Sequence, residues 1–107
     1  MTSMDDREKA FENKYAHDQA LEFKAVARRN KLLGLWAAGL MGLEGDAATE
    51  YGKAVVKADF EEAGHEDVYR KVKGDLDAKG VEMSEHLLRK QMDDLLITAR
   101  QQVQAEG

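Results

Sequence analysis

Cysteine and proline are both absent from the 107 residues of this chain. Without cysteine there is no disulfide bond, no thiol nucleophile and no zinc site built on thiolates. Without proline, glycine is the only residue that strongly interrupts a helix. Aromatic residues make up 7% of the chain, and Trp36 is the single tryptophan. These absences favour a helical protein with one modest core over a disulfide-stabilised scaffold.

Long hydrophobic runs are also missing. No window approaches the roughly 18 consecutive apolar residues that a membrane-spanning helix needs. The N-terminal residues MTSMDDREK lack the apolar centre of a signal peptide and are too acidic for a transit peptide. We therefore expect a cytoplasmic protein without membrane insertion. The net charge of -5 argues against general nucleic-acid binding, which requires a basic surface.

The residues that are abundant favour helix. Alanine, leucine, glutamate, lysine and glutamine have high helix propensity, whereas valine and isoleucine are sparse. No stretch alternates apolar and polar residues for long enough to indicate a strand. The longest apolar-rich stretch runs from Ala20 to Leu43, and Val26, Leu33, Trp36 and Leu40 recur there at helical spacing. We expect this stretch to form the central helix of a bundle.

Glycines and capping residues divide the chain into elements. The predicted helices lie at about 21–43, 47–63, 66–79 and 84–102. Glycines at 42 or 45, 64 and 80 end the first three helices, and Asp46 and Ser84 cap the second and fourth. Short connections favour antiparallel neighbours, so the predicted fold is all-α, a small four-helix bundle over residues 20–107. The C-terminal residues QQVQAEG are expected to fray.

Residues 1–19 form an N-terminal arm ahead of this bundle. After Met4 its only large apolar residues are Phe11 and Tyr15, which lie four apart and make a narrow stripe. An isolated helix of this length is marginal in water. We therefore expect the free arm to be disordered or frayed, and to become helical when a partner surface covers its apolar residues. The alternative is a solvated helix packed on its own domain.

The start of the central helix is the only clearly basic part of the chain. Its cations are Lys24, Arg28, Arg29 and Lys31. One interpretation is a solvated face that balances the acidic residues between 44 and 68. The other is a docking surface for an acidic protein or a phosphate group. The cluster is too short to indicate DNA or RNA binding.

Catalytic and metal-binding patterns are absent. His17, His65 and His86 lie in three separate segments, and no HExxH or GxxxxGK[ST] motif is present. Paired carboxylates occur only on strongly polar stretches, where solvated helix faces explain them better than a desolvated general acid does. We therefore predict no enzyme, no catalytic residue, no metal site and no cofactor.

Three blocks of sequence resemble a known family. They are the run DDREKAFENKYAHD at 5–18, the block ARRNKLLGLWAA at 27–38 and the stretch ADFEEAG at 58–64. At this spacing the chain resembles the zeta subunit of the alphaproteobacterial F-type ATP synthase over nearly its whole length. The resemblance implies a natural inhibitor of ATP hydrolysis, in which a four-helix bundle carries an N-terminal inhibitory segment.

The family's mechanism sets expectations for the arm. The segment would enter a catalytic alpha–beta interface as a helix, contact the gamma subunit of the rotor stalk and block rotation. The protein would then sit at the inner face of the plasma membrane through the ATP synthase. The partner-binding residues so implied are Met4, Asp5, Asp6, Arg7, Lys9, Phe11, Glu12, Lys14, Tyr15 and Gln19. The alternative is a helical adaptor or weak nucleotide-binding module that uses the patch Lys24, Arg28, Arg29 and Lys31.

Overall fold

The computed structural model contains four α-helices. It describes the backbone of residues 3–60 and 65–106 and the side chains of residues 18–60 and 65–106. The helices are α1 (Ser3–Leu40), α2 (Gly45–Ala58), α3 (Glu66–Ala78) and α4 (Glu85–Glu106). No strand occurs in these ranges. The predicted all-α class with four helices is confirmed.

Helix α1 is much longer than the first bundle helix expected from the sequence. It runs over 38 residues without a break, about 57 Å at the usual rise of an α-helix. The predicted arm and the predicted central helix are therefore parts of one helix. The physical reason is that no glycine or proline occurs between Ser3 and Leu33, so no residue interrupts the helix at the expected boundary. Within the bundle, α1 packs against both α2 and α4.

Left-handed glycines end two of the helices. Gly42 has a φ of +78° and Gly80 a φ of +75°, a conformation that costs other residues strain. After each glycine the next amide reaches back to a helix carbonyl, at 2.8 Å for Leu43 and 2.9 Å for Val81. This pattern is that of a Schellman cap. The prediction that Gly80 ends α3 is confirmed.

The two predicted N-caps have different outcomes. Ser84 Oγ accepts a hydrogen bond from the Leu87 amide at 3.1 Å, so it caps α4 as predicted. The Asp46 cap was wrong, because α2 begins one residue before it, at Gly45, and Glu44 occupies the N-cap position. Asp46 instead lies in the first turn, where its charge suits the positive end of the helix.

Helices α2 and α4 end at positions other than those expected. Helix α2 ends at Ala58, since the amides of Asp59 and Phe60 bond the carbonyls three residues back and tighten the last turn. The expected stop at Gly64 lies outside the described residues. Helix α4 continues to Glu106, so the predicted fraying of the tail was wrong over the residues described. Its last turn is held to α1 by a Glu106 salt bridge to Arg28.

The core consists of two clusters, and α1 contributes to both. The larger cluster comprises Leu33, Ala37, Val55, Val68, Val72, Leu76, Leu88 and Met92. The smaller cluster joins Ala25 to Ala99 and Val103 of α4. The predicted apolar face of α1 is correct for Leu33, whereas Leu40 is 42% exposed. The buried positions of α1 nearest to Leu40 are instead Ala37 and Ala38. Their small side chains allow the neighbouring helices to approach closely.

None of the helices described is long and apolar enough to span a membrane.

Candidate partner-binding site

The predicted arm residues fall almost entirely outside the side chains that the structure describes. These residues are Met4, Asp5, Asp6, Arg7, Lys9, Phe11, Glu12, Lys14 and Tyr15, and only their helical backbone is described. Gln19, the last predicted partner-binding residue, is exposed on α1. It lines a groove between α1 and the C-terminal end of α2.

This groove has a volume of about 360 Å³ and mainly apolar walls. Its apolar lining consists of Phe23, Val26, Ala27, Val56 and Phe60. Its polar lining consists of Gln19, Glu22, Asn30 and Asp59. The groove is therefore an amphipathic surface at the position where the predicted arm meets the bundle.

Two aromatic rings dominate the groove. Phe23 is 64% exposed and Phe60 is 70% exposed. Their ring centroids are 6.4 Å apart with an interplanar angle of 49°, a tilted contact within the usual range for an aromatic pair. Single exposed apolar residues are common on protein surfaces, whereas a contiguous apolar patch with a polar rim is typical of an interaction site.

A second groove, of about 370 Å³, lies on the other side of Phe23. It crosses the solvent face of α1 from Val56 of α2 to Val103 and Glu106 of α4. Three of the predicted patch cations line it, namely Lys24, Arg28 and Lys31. We call the two grooves together, with Phe23 and Phe60 at their centre, the Phe23–Phe60 face.

The patch cations differ in exposure and in whether they pair with another residue. Lys24 and Lys31 are exposed, and neither has an ion-pair partner within the described part of the chain. Arg28 is half-buried and engaged, donating to Gln102 Oε1 at 2.9 Å and pairing with Glu106 at 2.8 Å. Lys24 and Lys31 therefore remain available to an external anion, while Arg28 holds α1 to α4.

Arg29 does not belong to the surface at all. It is only 2% exposed, and its Nε donates to Asn30 Oδ1 at 2.8 Å. Burial lowers the pKa of the Arg29 guanidinium, and the charges of Asp59 and Asp93 partly oppose that shift. The prediction of Arg29 as part of a cationic surface was wrong. Arg29 lies four residues after Ala25 and four before Leu33, on the buried stripe of α1.

A polar cluster surrounds this buried arginine. Arg29 Nη2 lies 3.0 Å from His65 Nδ1, which accepts its hydrogen bond when the ring is neutral. His65 Nδ1 is also 3.8 Å from Asp59 Oδ1. That oxygen is buried and has no hydrogen-bond partner among the described residues. The cluster thus joins α1 to both ends of the connection between α2 and α3, and the sequence shows no pattern that links these positions.

Glu22, on the rim of the first groove, is neutralised from the opposite side. Its carboxylate accepts two hydrogen bonds from Arg100 of α4, at 2.6 and 3.0 Å. These bonds lower the pKa of Glu22 below its usual value. The negative charge at this rim is therefore already paired.

The arrangement is suited to binding. Among residues 18–60 and 65–106, no group of three or more histidine or carboxylate side chains is placed to hold a metal ion. The Phe23–Phe60 face combines exposed aromatic rings, which are enriched at protein interfaces, with two lysines that have no ion-pair partner among the described residues. Over the described residues this is a small all-helical protein with a partly apolar, exposed face on a long N-terminal helix.

Comparison with known proteins identifies the family. The family model described as ATPase inhibitor subunit zeta matches residues 1–102. The chain therefore belongs to the ATPase inhibitor subunit zeta family, as the sequence resemblance indicated. Membership supports an inhibitory role and implies association with the ATP synthase.

A solved structure is similar to the chain in sequence and in fold. The chain is similar to a protein whose solution NMR structure is known, with 53% sequence identity and a TM-score of 0.72. The match covers 81% of this chain and 99% of the other. No curated protein sequence matches the chain.

Proposed function

We propose that the chain is a regulatory protein that inhibits ATP hydrolysis by the F-type ATP synthase and catalyses no reaction itself. Membership of an inhibitor-subunit family supports this proposal. The protein would act in the cytoplasm, peripheral to the inner face of the plasma membrane, and would be held there by the synthase. It would need no cofactor, because its action is steric.

The proposed mechanism uses the N-terminal half of α1 as a wedge. The segment enters a catalytic alpha–beta interface as a helix, contacts the gamma subunit and blocks rotation in the hydrolytic direction. The observation that carries the proposal is the continuity of α1 from Ser3 to Leu40. Helix nucleation is the costly step, and here the packed half of α1 supplies the nucleus. When the segment becomes ordered on its partner, it therefore extends an existing helix, and no free energy is needed to nucleate a new one.

The proposed contacts follow the physics of a helix in a groove. Phe11 and Tyr15 are the apolar anchors, since aromatic residues contribute most to such interfaces. Polar and apolar residues around them would set register and orientation, namely Met4, Asp5, Asp6, Arg7, Lys9, Glu12 and Lys14. Gln19 marks the place where the inserted segment joins the Phe23–Phe60 face.

The test is a titration of ATP hydrolysis by the purified ATP synthase head. The full chain is compared with the double variant Phe11→Ser and Tyr15→Ser. A matched control places the same serines at neighbouring arm positions, Ala10→Ser and Ala16→Ser. We expect the aromatic variant to lose inhibition and the control to keep it. Full inhibition by the aromatic variant would contradict the proposed anchors.

A second candidate function is a helical adaptor or weak nucleotide-binding module on the basic patch. Burial of Arg29 and pairing of Arg28 reduce that patch to Lys24 and Lys31. The observation in its favour is the position of these lysines beside the exposed ring of Phe23, which an adenine base could stack on. This candidate requires the arm to be dispensable, so the titration above separates it from the inhibitor.

A further inference from the structure

We propose that the Phe23–Phe60 face is a second docking surface, which binds an amphipathic helix of the ATP synthase that carries carboxylates beside an aliphatic ridge. The inference rests on the proposed function, since the partner is the same complex. The wedge would block rotation, and this face would hold the bundle against the outside of the head.

The apolar part of the face is built from two helices. Phe23 and Ala27 come from α1, and Val56 comes from α2, with Phe60 just after its end. The two grooves share Phe23, Ala27 and Val56 as lining residues, so they lie side by side. Amphipathic helices in other complexes lay their apolar face into hydrophobic grooves.

The length of the face favours a helix over a small ligand. Its lining on α1 extends from Gln19 to Lys31, about 18 Å along the helix axis. That distance matches about three turns of a partner helix. The aliphatic side chains of such a helix would cover both phenylalanine rings at once.

The exposed lysines of the face favour a partner that carries carboxylates. Lys24 and Lys31 are exposed beside the apolar depression and have no ion-pair partner in the described part of the chain. Glu22, on the opposite rim, is paired with Arg100. The charge left for a partner to meet along α1 is therefore positive, and complementary charge sets orientation and speeds encounter.

Continuity with the proposed wedge favours the same complex as the partner. Phe11, Tyr15, Gln19 and Phe23 follow one another in steps of four in the sequence. Gln19 already lines the face, and the face begins on the same helix where the predicted wedge ends. Once either the wedge or the face of α1 is bound to the ATP synthase, the other is held close to its own binding site at high effective concentration. The face would therefore raise affinity without changing how completely a bound inhibitor blocks rotation.

The experiment compares two face variants with matched controls in the full-length chain. The face variants are Phe23→Ser with Phe60→Ser, and Lys24→Glu with Lys31→Glu. The controls are Leu87→Ser with Ile97→Ser, exposed apolar residues of α4, and Lys57→Glu with Lys79→Glu, exposed lysines on α2 and after α3. All positions are on the surface, and circular dichroism verifies the fold of each variant.

Two readouts are taken for every variant: direct binding to the ATP synthase head, and inhibition of its hydrolysis. We expect each face variant to raise the dissociation constant and the half-inhibitory concentration about tenfold, as loss of an interface anchor does. Maximal inhibition should be unchanged, and the controls should match the wild type. The effect of the lysine variant should shrink at high salt, because salt screens exposed charges.

The two readouts separate failure of this inference from failure of the proposed function. If the wild type inhibits and the face variants bind as tightly as the controls, the docking surface is overturned and the inhibitor stands. If the wild type binds through the face without inhibiting, the inhibitor is overturned and the docking surface stands. If the face variants lose only binding of ATP, measured by NMR shifts of the Ala27 and Val56 amides, the face is a nucleotide site and the inference is overturned.

Discussion

Gly34 of α1 and Gly52 of α2 approach each other so closely that a Cβ on Gly34 would lie 2.5 Å from the Gly52 Cα. Both residues are buried. Gly39, on the same helix, differs, because a Cβ there would have no neighbour within 4 Å among the described residues. The glycine pair fixes the distance between two antiparallel helices, and further along this interface Phe23 faces Phe60.

Gly34→Ala is therefore expected to lower the free energy of unfolding. The new methyl group meets backbone atoms, which cannot move aside as a side chain can, so overpacking should cost about 1 to 3 kcal/mol. Gly39→Ala is the matched control, since its Cβ meets open space and it should stabilise α1 by about 0.5 to 1 kcal/mol. Urea unfolding of both variants measures the difference. Equal stabilities would contradict the close contact.

Arg29 gives a second prediction, because its buried volume and its hydrogen bonds can be removed separately. Arg29→Ala removes a fully buried side chain and should cost about 2 to 5 kcal/mol, as other large-to-small core changes do. Arg29→Met keeps most of the volume but leaves the buried Asn30 Oδ1 without its donor, so it should still cost about 1 to 3 kcal/mol. Thermal unfolding ranks the two. If the methionine variant is as unstable as the alanine variant, the charge itself holds the bundle together.

The environment of the Tyr51 hydroxyl leads to a prediction about stability at alkaline pH. Its hydroxyl donates to Asp75 Oδ2 at 2.8 Å, and burial together with this bond raises the pKa of Tyr51. A raised pKa means that the folded state favours the protonated phenol. The stabilisation is therefore complete below the unfolded pKa of about 10 and is lost as pH rises above it.

The measurement for Tyr51 is the free energy of unfolding at pH 9 and pH 11. Wild type should lose more stability over this range than Tyr51→Phe, which has no phenol at this position to ionise. Tyr15 and Tyr69 are present in both proteins and act as internal controls. Parallel losses in the two proteins would show that the phenol of Tyr51 is not protected in the folded state.

Sequence reasoning succeeded where local chemistry decides the structure. High helix propensity, the left-handed Gly80 and the Ser84 cap act over a few residues, so four helices and two of their ends were predictable. The same uniform propensity hid the true length of α1. Because no glycine or proline occurs between Ser3 and Leu33, the sequence has no local signal for a boundary between arm and bundle.

The errors concern residues whose environment depends on distant parts of the chain. Arginine is usually exposed, and the burial of Arg29 depends on His65, 36 positions away. Phe23 and Phe60 lie on different elements, so their shared groove appears only once α1 and α2 are packed. Pairing of Arg28 with Glu106 likewise joins α1 to the last turn of α4, 78 positions further along the chain. Tertiary contacts of this kind leave no periodic pattern in the sequence.

The most direct test of the central claim is ATP hydrolysis by the ATP synthase head, measured with the full chain and with a chain that lacks residues 1–19. The account predicts inhibition by the full chain alone, while circular dichroism shows that the shortened chain keeps its helices. Equal inhibition by both chains would contradict it, and would place the inhibitory activity on the surface of the bundle.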